Sequence, residues 1–269
     1  MKKQDISADY LMESVNENNR LKNKIKPDKF VRLYLNQFIK PYTKVLDVGC
    51  GPAVIDEYIA QTYPHTHITG LDISANRLIQ AKEMIQHLPN LLLVSANVYY
   101  LPFNDNTFDV IFSRMLFEYL KYPNNALEEI KRVCKPGGYV IVQDIDGQFY
   151  SLYPEDNILI SKMDQIFKAI KKHSGFDPFV GRKLYHLFHT LGFNQIQVQI
   201  EPYHLIAGKI NAKNDLYWKE KLISALPQLS KQTKKDTKEL LKVIELYLDY
   251  LRREDTMSFS NLFTVYGIK

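Results

Sequence analysis

Between residues 41 and 146, short apolar runs alternate with longer stretches whose apolar residues recur at helical spacing. Apolar runs of this length predict buried strands, and they fall at 44–48, 67–71, 91–94, 108–113 and 139–143. The stretches between them predict helices, the clearest running from residue 54 to before Pro64, over 75–88 and over 124–134. Strands separated by helices need crossover connections, which give a parallel sheet with helices on both faces. The pattern therefore predicts an α/β fold.

The segments on either side of these strands have a different pattern. Before residue 40, apolar residues at helical spacing predict two helices, over 7–25 and 27–39. After residue 146, we expect helices over 155–172, 181–191, 213–226 and 232–253, and strands over 193–203 and 258–267. The core sheet therefore carries additional, mainly helical segments.

The first strand runs directly into a glycine turn, Asp47-Val48-Gly49-Cys50-Gly51-Pro52-Ala53. Glycine adopts positive φ at little steric cost, and proline is tolerated in the first turn of a helix. A strand, a tight turn and a helix start together present bare backbone N–H groups to a ligand above the sheet. The alternative is that the glycines and the proline only turn the chain, since short glycine patterns are common.

Polar residues follow the next two strands. Asp72 comes about 20 residues after the glycine turn, where a carboxylate accepts both hydroxyls of a ribose. Asn97 follows the third strand, where its amide and the N–H of Val98 would pair with adenine. The alternatives are an aspartate that favours the start of a helix and an asparagine that stabilises a turn. Together with the glycine turn, the two residues predict a nucleoside site.

The composition of the turn narrows the class of nucleoside. The chain has no Gly-x-x-x-x-Gly-Lys-Ser/Thr sequence, which disfavours ATP hydrolysis through a phosphate-binding loop. The turn lacks the third glycine that dinucleotide sites prefer. Asp47 would repel a phosphate, but it would hold an ammonium group through water or orient the loop. We therefore expect a nucleoside ligand without a phosphate at this turn.

Composition and charge are those of an ordinary globular chain, with 45% hydrophobic and 24% charged residues and a net charge of +5. The lysines between 231 and 238 are interpreted as a solvated helix face. Cys50 and Cys134 lie far apart, which fits a reducing compartment and no zinc site. No apolar run resembles a signal peptide or approaches the ~20 residues of a membrane span. We expect a cytoplasmic protein that binds neither nucleic acid nor a membrane.

Five segments, in order, resemble the motifs of class I S-adenosylmethionine-dependent methyltransferases of the small-molecule type. They are 45–53, 71–74, 97–103, 108–113 and 128–138. The resemblance is close over 40–146 and looser over 180–204 and 258–268. Ala53 stands where the family usually has a third glycine. Asn97 replaces the usual aspartate, which keeps an acceptor oxygen but removes its charge.

This resemblance implies a Rossmann-like seven-stranded sheet of order 3-2-1-4-5-7-6 in which only the seventh strand is antiparallel. It also implies S-adenosyl-L-methionine as cofactor and S-adenosyl-L-homocysteine as product. The turn would hold the methionine part, Asp72 the ribose, and Asn97 with Val98 the adenine. The full set of expected cofactor-binding residues is Asp47, Gly49, Cys50, Gly51, Asp72, Ile73, Asn97, Val98, Ser113, Arg114 and Arg20. Arg20 belongs to this set as a hypothesis, in which the N-terminal helix closes over the carboxylate of the cofactor.

The whole chain, 1–269, is interpreted as a single methyltransferase domain. It is divided into an N-terminal helical lid (1–40), a cofactor-binding half (41–146), cap insertions (147–178 and 205–255), and a C-terminal helix and strands (179–204 and 256–269). In this family, such insertions cap the strand ends and build acceptor specificity. The aromatic residues in these insertions predict a lidded, largely apolar pocket.

Methyl transfer is an in-line displacement at a sulfonium, so proximity and orientation supply much of its acceleration. The sequence therefore offers only weak catalytic candidates, Glu118, Tyr119 and His173, each with packing as the alternative role. A magnesium-dependent catechol-type site would need an Asp-Asn pair that the sequence lacks near the fifth strand. His186 and His189 have no third ligand. We expect no metal.

The resulting interpretation is transfer of a methyl group to oxygen, nitrogen or carbon of a small molecule, by a monomer or homodimer. A methyltransferase for nucleic acid or protein is one alternative. The chain lacks an Asn-Pro-Pro-Tyr-like motif for base reading and a coherent basic stripe outside 231–242, which disfavours it. A non-catalytic protein that binds S-adenosylmethionine is the other alternative.

Overall fold

The computed structural model describes residue 21 and residues 25–269 of the chain. The strands are β1 Lys44–Val48, β2 His67–Asp72, β3 Leu91–Ser95, β4 Phe108–Arg114, β5 Cys134–Tyr153, β6 Asn194–Ala207 and β7 Met257–Ile268. The helices are α1 Pro27–Phe30, α2 Val54–Thr62, α3 Ala75–Ile85, α4 Pro123–Val133, α5 Asn157–Ser174, α6 Leu184–Thr190, α7 Ala212–Thr233 and α8 Thr237–Arg252. A π-helical turn continues α1 over Val31–Leu35, and 3-10 turns lie at Phe117–Tyr119 and Gly181–Lys183.

All seven strands form one sheet of order β3-β2-β1-β4-β5-β7-β6. The pairs among β1 to β5 are parallel, whereas β7 runs antiparallel to both β5 and β6. The predicted fold class, strand order and direction of the seventh strand are confirmed. Because β1 to β4 are parallel, their carboxyl ends meet at one edge of the sheet, where open α/β sheets bind ligands.

Alternate residues of the central strands face opposite helical layers, as the period of a strand requires. Val45 packs in the layer that contains α1 and α2. Its neighbour Leu46 packs in the layer that contains α4 and α6. The sheet is thus buried on both faces, which explains why its strands appear in the sequence as nearly continuous apolar runs.

A separate apolar cluster lies beyond the carboxyl edge of the sheet, and we call the elements that form it the cap. It consists of α5, α7, α8 and the last residues of β5. Its aromatic centre is Phe149, whose ring lies 5.7 Å from that of Trp218 and 5.2 Å from that of Tyr247. The cap therefore has its own packed core beside the ligand edge.

The fifth strand is longer than the sequence predicts, because it runs to Tyr153 rather than to residue 143. It pairs with β7 along this extension, with Tyr153 opposite Met257. The register shifts between Asp146 and Ser151, and Gly147 and Phe149 within this bulge have φ of 78° and 71°. A bulge interrupts the alternation that identifies a strand, which is why the extension is not visible in the sequence. The division of the chain into lid, cofactor-binding half and cap insertions stays a prediction.

Helix α7 continues to Thr233 through Pro227, although the sequence predicts its end before that proline. Proline removes one helical hydrogen bond, but Leu226 is buried in the cap core beside it, and this packing supports the continuous helix. The first predicted helix, over 7–25, lies outside the described residues except for Leu21 and Ile25. In the described part of the chain, no helix is both long and apolar enough to span a bilayer.

Candidate active site

A cleft lies at the carboxyl ends of β1 to β4, between the sheet and the cap. Its wall contains most of the residues that the sequence predicts for the nucleoside, namely Gly49, Cys50, Gly51, Asp72, Ile73, Asn97, Val98 and Arg114. Glu118 and Tyr119, the candidates on the acceptor side, line the same cleft. Asp47, Ser113 and His173 are not part of its wall, and Arg20 lies outside the described residues. The fold therefore gathers the predicted residues, while their binding roles stay predictions.

The glycine turn is held by backbone hydrogen bonds to β2. The N–H groups of Gly49 and Cys50 both donate to the carbonyl of Leu71, at 2.7 and 2.9 Å. Gly49 and Gly51 have φ of 87° and 54°, and Ala53 has φ of 56°. Positive φ disfavours residues with a Cβ, so the turn favours glycine at both positions. Ala53 adopts the same left-handed region, and α2 begins at the next residue, Val54, as the sequence predicts.

Asp72 ties the turn to the start of α3. Its Oδ2 accepts the N–H of Gly51 at 2.9 Å, and its Oδ1 accepts the N–H of Ser74 at 2.8 Å. The Arg77 guanidinium lies 3.5 Å from Oδ1, and both side chains are nearly buried. Ser74 caps α3 as predicted, since its hydroxyl accepts the N–H of Arg77. A carboxylate oxygen accepts more than one hydrogen bond, so Asp72 retains capacity for hydroxyl groups in the cleft.

Asn97 also has a local structural role. Its Oδ1 accepts the backbone N–H of Tyr99 at 3.0 Å, which is an Asx turn. The turn explains why asparagine suits this position, as the simpler interpretation of the sequence proposed. The residue nevertheless lies on the cleft wall with Val98. A role in binding adenine therefore stays a prediction for both residues.

Asp47 and Asp56 form a buried acidic pair behind the turn, where they are 3% and 0% exposed. Burial, followed by the nearby charge of Asp56, raises the pKa of Asp47 well above its ordinary value. Burial also raises the pKa of Asp56 to about 7. Gly70 makes room for the pair, because a Cβ there would lie 3.2 Å from Oδ1 of Asp56. Asp47 is thus placed to support the turn from behind rather than to line the cleft.

Replacing Asp56 by asparagine is expected to weaken the pH dependence of stability. The pKa of Asp56 rises from 3.8 to about 7 on folding, so between these values the folded protein holds a proton that the unfolded chain releases. The free energy of unfolding therefore falls as pH rises through this window. An asparagine side chain does not titrate, so the fall should shrink by roughly 4 kcal/mol or less. Urea unfolding at about pH 4.5 and about pH 8 measures it.

The matched control for this prediction is Glu57→Gln, which changes a neighbouring, partly exposed acid on the same helix. Its pH dependence should match that of the unmodified protein. If Asp56→Asn and the unmodified protein lose equal stability between the two pH values, the raised pKa of Asp56 in the folded protein is contradicted.

At the end of β4, Ser113 and Arg114 differ in their relation to the cleft. Ser113 is buried, and its hydroxyl donates to the carbonyl of Val48 at 2.8 Å, so it links β4 to β1 behind the wall. Arg114 lines the cleft, and its Nε donates to Oε1 of Gln143 at 2.9 Å. Gln143 in turn donates to the hydroxyl of Thr264 at 2.7 Å. This chain of hydrogen bonds fixes the arginine stem at the cleft.

Glu118 lies in the 3-10 turn after β4, and it is 5% exposed. Its backbone N–H donates to Oδ2 of Asp144 at 3.2 Å. Burial, and then the charge of Glu118, raise the pKa of Asp144 well above its ordinary value. The ring of Tyr119 lies 5.5 Å from that of Phe176 in the cap. Glu118 and Tyr119 thus lie where the sheet edge meets the cap.

His173, the third catalytic candidate, is exposed in the last turn of α5. It lines neither the cleft nor the cavity described next. The turn of the helix directs this position to the surface, while buried positions such as Ile170 face the cap core. The structure therefore does not bring His173 to the cleft.

A second, largely apolar space lies inside the cap, and we call it the cap cavity. It is enclosed by α5, α7, α8 and the bulge of β5. Three side chains line both the cap cavity and the cleft, namely Tyr119, Gln148 and Lys221. The two spaces are therefore neighbours that share one boundary. The sequence predicts an apolar pocket built by these insertions, and the cavity has that character.

Gln148 and Lys221 were missed at the sequence level. Gln148 follows Gly147 in the β5 bulge, which the sequence does not predict. Lys221 belongs to a helix in which lysines are common. One signal was present for Lys221, because it follows Trp218 by three residues and so shares the apolar face of α7. Both are buried, at 4% and 7% exposure. Arg77 beside Asp72 was missed for the same reason, since a helical arginine is usually exposed.

Potential metal ligands and thiols are the other reactive groups in the part of the chain that the structure describes. Within it, no group of three or more His, Cys, Asp or Glu side chains is arranged to hold a metal ion. Both cysteines are unpaired thiols and buried. Burial raises the pKa of the Cys50 thiol well above its ordinary value and that of Cys134 to about 12. A thiolate nucleophile is therefore disfavoured at both positions.

The chain is similar to known methyltransferases. Residues 46–142 match the family model of the methyltransferase domain. An uncharacterized methyltransferase of Schizosaccharomyces pombe is 32% identical over 162 residues, which cover 56% of each chain. A demethylmenaquinone methyltransferase of Staphylococcus haemolyticus is 34% identical over 180 residues, which cover 60% of this chain and 72% of the relative. The chain thus spans little more than half of the first relative and most of the second.

A solved structure shares the fold. Phosphoethanolamine N-methyltransferase 2 of Haemonchus contortus, in complex with phosphomonomethylethanolamine and S-adenosylhomocysteine, superposes with a TM-score of 0.57 at 18% identity. The match covers 90% of this chain and 52% of the nematode enzyme. Together with the sheet order and the coverage of the staphylococcal relative, these matches show that the chain belongs to the class I S-adenosylmethionine-dependent methyltransferases.

Proposed function

We propose that the chain binds S-adenosyl-L-methionine in the cleft and transfers its methyl group to a small-molecule acceptor. The observation that carries this proposal is the contrast between the two ends of the cleft. One end has the glycine turn, Asp72 and Asn97, and the other shares a boundary with the apolar cap cavity. A nucleoside cofactor and a separate acceptor with an apolar part match these two environments.

The residues at the strand ends fit the chemistry of the cofactor. Gly49 and Gly51 leave the backbone bare at the cleft wall, so a ligand would approach it closely. Asp72 would accept the ribose hydroxyls, as carboxylates do at this position of Rossmann-like sheets. Asn97 and Val98 would bind the adenine. Arg114, held by Gln143, would lie beside the carboxylate of the methionine part.

The remaining task of the protein is to position the acceptor. Bound S-adenosylmethionine supplies a methyl group that is already activated by the sulfonium. Holding two reactants in line is worth a large part of such a barrier, and exclusion of water helps. The boundary residues Tyr119, Gln148 and Lys221 and the buried carboxyl of Glu118 surround the place where cofactor and acceptor would meet. We assign these residues to positioning the reactants.

The known proteins support a small acceptor without specifying it. The staphylococcal relative is named for demethylmenaquinone, and the nematode structure contains phosphomonomethylethanolamine. These two acceptors differ in size and polarity, so neither is carried over to this chain. The cytoplasmic location and the monomeric or homodimeric state stay predictions.

Calorimetric titration of the purified chain with S-adenosylhomocysteine tests the proposed cofactor. We expect saturable binding with one site per chain, because the glycine turn, Asp72 and Asn97 line one and the same cleft. Adenosine diphosphate serves as the comparison ligand, and it should bind at least about tenfold more weakly because the Asp72 carboxylate lies against the turn and would repel a phosphate. Absence of S-adenosylhomocysteine binding would overturn the proposal.

Two turnover measurements separate this function from its alternatives. Transfer of a labelled methyl group is first followed over a panel of small molecules, and product formation excludes a purely non-catalytic binding protein. The same reaction is then repeated with heparin as a polyanion. Unchanged turnover supports a small acceptor, whereas competitive inhibition by heparin favours a methyltransferase for nucleic acid.

A further inference from the structure

The boundary between the cap cavity and the cleft has a chemical character of its own. The wall of the cap cavity away from this boundary is apolar and includes Phe149, Met163, Ile166, Leu222 and Ala225. At the boundary stand a phenol, an amide and an ammonium group, from Tyr119, Gln148 and Lys221. An occupant of the cavity would therefore bury an apolar body and present a polar end to the cleft.

Gln148 has an unsatisfied donor at this boundary. Its side chain is 4% exposed, and its Nε2 atom has no hydrogen-bond acceptor among the described residues. A buried donor without an acceptor is unfavourable, so an oxygen atom of a ligand would stabilise this group. The β5 bulge, with positive φ at Gly147 and Phe149, places Gln148 here. The bulge therefore directs a donor to the junction of the two spaces.

Lys221 brings a positive charge to the same place. Its side chain is buried, and its Nζ lies 4.7 Å from the ring centroid of Trp218 and 5.9 Å from that of Phe149. Aromatic faces stabilise an ammonium group, which helps to keep it inside the cap. Glu118 lies on the wall of the cleft but does not line the cap cavity. Among the described residues that line the cap cavity, Lys221 is therefore the charged one.

We propose that the cap cavity binds the apolar body of the methyl acceptor and that Lys221 and Gln148 bind an anionic oxygen at its polar end. The acceptor is accordingly a mainly apolar molecule that carries a carboxylate or an acidic hydroxyl. This inference rests on the proposed function and names its substrate class. An ammonium group and an amide N–H both donate to oxygen, and charge-assisted hydrogen bonds are the stronger ones. A cationic end would instead meet Lys221 as a like charge.

Octanoate, octanol and octylamine test this class, because they share an apolar chain and differ in the charge of the head group. Trp218 is the only tryptophan in the chain and lies against Lys221, so its fluorescence reports occupation of the boundary. At neutral pH, we expect octanoate to bind at least about tenfold more tightly than octanol, and octylamine to bind most weakly. Equal affinities, or a preference for octylamine, would overturn the inference.

Two variants test whether Lys221 causes the preference for octanoate over octanol. Lys221→Met keeps the length and the apolar packing of the side chain but removes its charge, and it should reduce the preference for octanoate over octanol to about twofold or less. Lys219→Met is the matched control, since Lys219 is exposed on the same helix, and it should keep the full preference. A full preference in Lys221→Met would show that the anion binds elsewhere. If Lys221→Met does not fold, the comparison of the three ligands on the unmodified chain still decides the inference.

Titration with S-adenosylhomocysteine separates the two proposals. If the unmodified chain binds S-adenosylhomocysteine but shows no preference for octanoate, the acceptor class is wrong and the proposed function stands. If it does not bind S-adenosylhomocysteine, the proposed function fails whatever octanoate does.

Discussion

Replacing Asp72 by alanine is expected to weaken S-adenosylhomocysteine binding about a hundredfold. The substitution removes the acceptor of the Gly51 and Ser74 N–H groups, and with it the proposed acceptor of the ribose hydroxyls. Hydrogen bonds to a charged group contribute about 1.5–3 kcal/mol each, and about 2.7 kcal/mol corresponds to a hundredfold change. Calorimetric titration of the variant against the unmodified chain measures the loss.

Two further variants test whether the loss of affinity is due to the Asp72 carboxylate. Asp72→Asn keeps the shape but loses the charge, and its affinity should fall between those of Asp72→Ala and the unmodified chain. Asp236→Ala is the matched control, because Asp236 is exposed and its side chain makes no capping hydrogen bond to α8. It should bind S-adenosylhomocysteine as the unmodified chain does. Unchanged affinity in a folded Asp72→Ala variant would refute the assigned role of Asp72.

Replacing Gly175 by alanine is expected to destabilise the fold by about 3 kcal/mol or more, since it combines two unfavourable effects. Gly175 ends α5 with φ of 86°, and a Cβ there would lie 2.4 Å from Cα and 2.7 Å from N of Lys121. Backbone atoms cannot move aside as a flexible side chain does. The melting temperature should fall by roughly 6–12 °C, as measured by thermal unfolding.

Gly137→Ala separates the two effects. Gly137 also has positive φ, 76°, but a Cβ there would meet no atom within 4 Å. This variant should therefore show only the strain of the left-handed conformation, about 1–2 kcal/mol. Equal losses in the two variants would contradict a steric cause at Gly175.

The close approach at Gly175 also explains how the cap is joined to the carboxyl edge of the sheet. The backbone of α5 touches Lys121 there, and two residues later the N–H of Asp177 donates to the carbonyl of Glu118 at 2.8 Å. Glu118 and Tyr119, which line the cleft, are thus held between the sheet and the cap. For this reason, we expect Gly175→Ala to reduce methyl transfer more than its loss of stability alone would, at a temperature where the variant is folded.

The cofactor side of the cleft was predictable because its signals are local in sequence. The glycine turn, Asp72 and Asn97 each follow a strand, and parallel strands bring their carboxyl ends together without any knowledge of side-chain packing. The positive φ of Gly49 and Gly51 and the placement of Asp72 beside the turn agree with those expectations. The sequence could not show that Asp47 and Ser113 lie behind the wall of the cleft. Both belong to strands, near their carboxyl ends, and residues that face the cleft have the same positions in sequence.

The acceptor side depended on contacts between distant segments. Gln148 comes from a bulge in β5, Lys221 from α7 and Tyr119 from the turn after β4, and no spacing in the sequence relates them. His173, in contrast, was proposed from its residue type, but it lies on an exposed face of α5 and does not line the cleft. Whether a helical residue faces solvent or a cavity depends on which helix packs against it.

The sequence by itself therefore determined the fold class, the order of the strands through a family resemblance, and the edge of the sheet at which the cofactor would bind. It could do so because glycine conformation, strand spacing and the geometry of parallel sheets act over a few residues at a time. Only the tertiary structure decided that Asp47 pairs with Asp56 in the core, and that a lysine and a glutamine stand between the cleft and an apolar cavity. These contacts join residues that lie far apart in the sequence. Their burial, which raises the pKa of a carboxyl and limits access to a hydrogen-bond donor, therefore depends on how the whole chain packs.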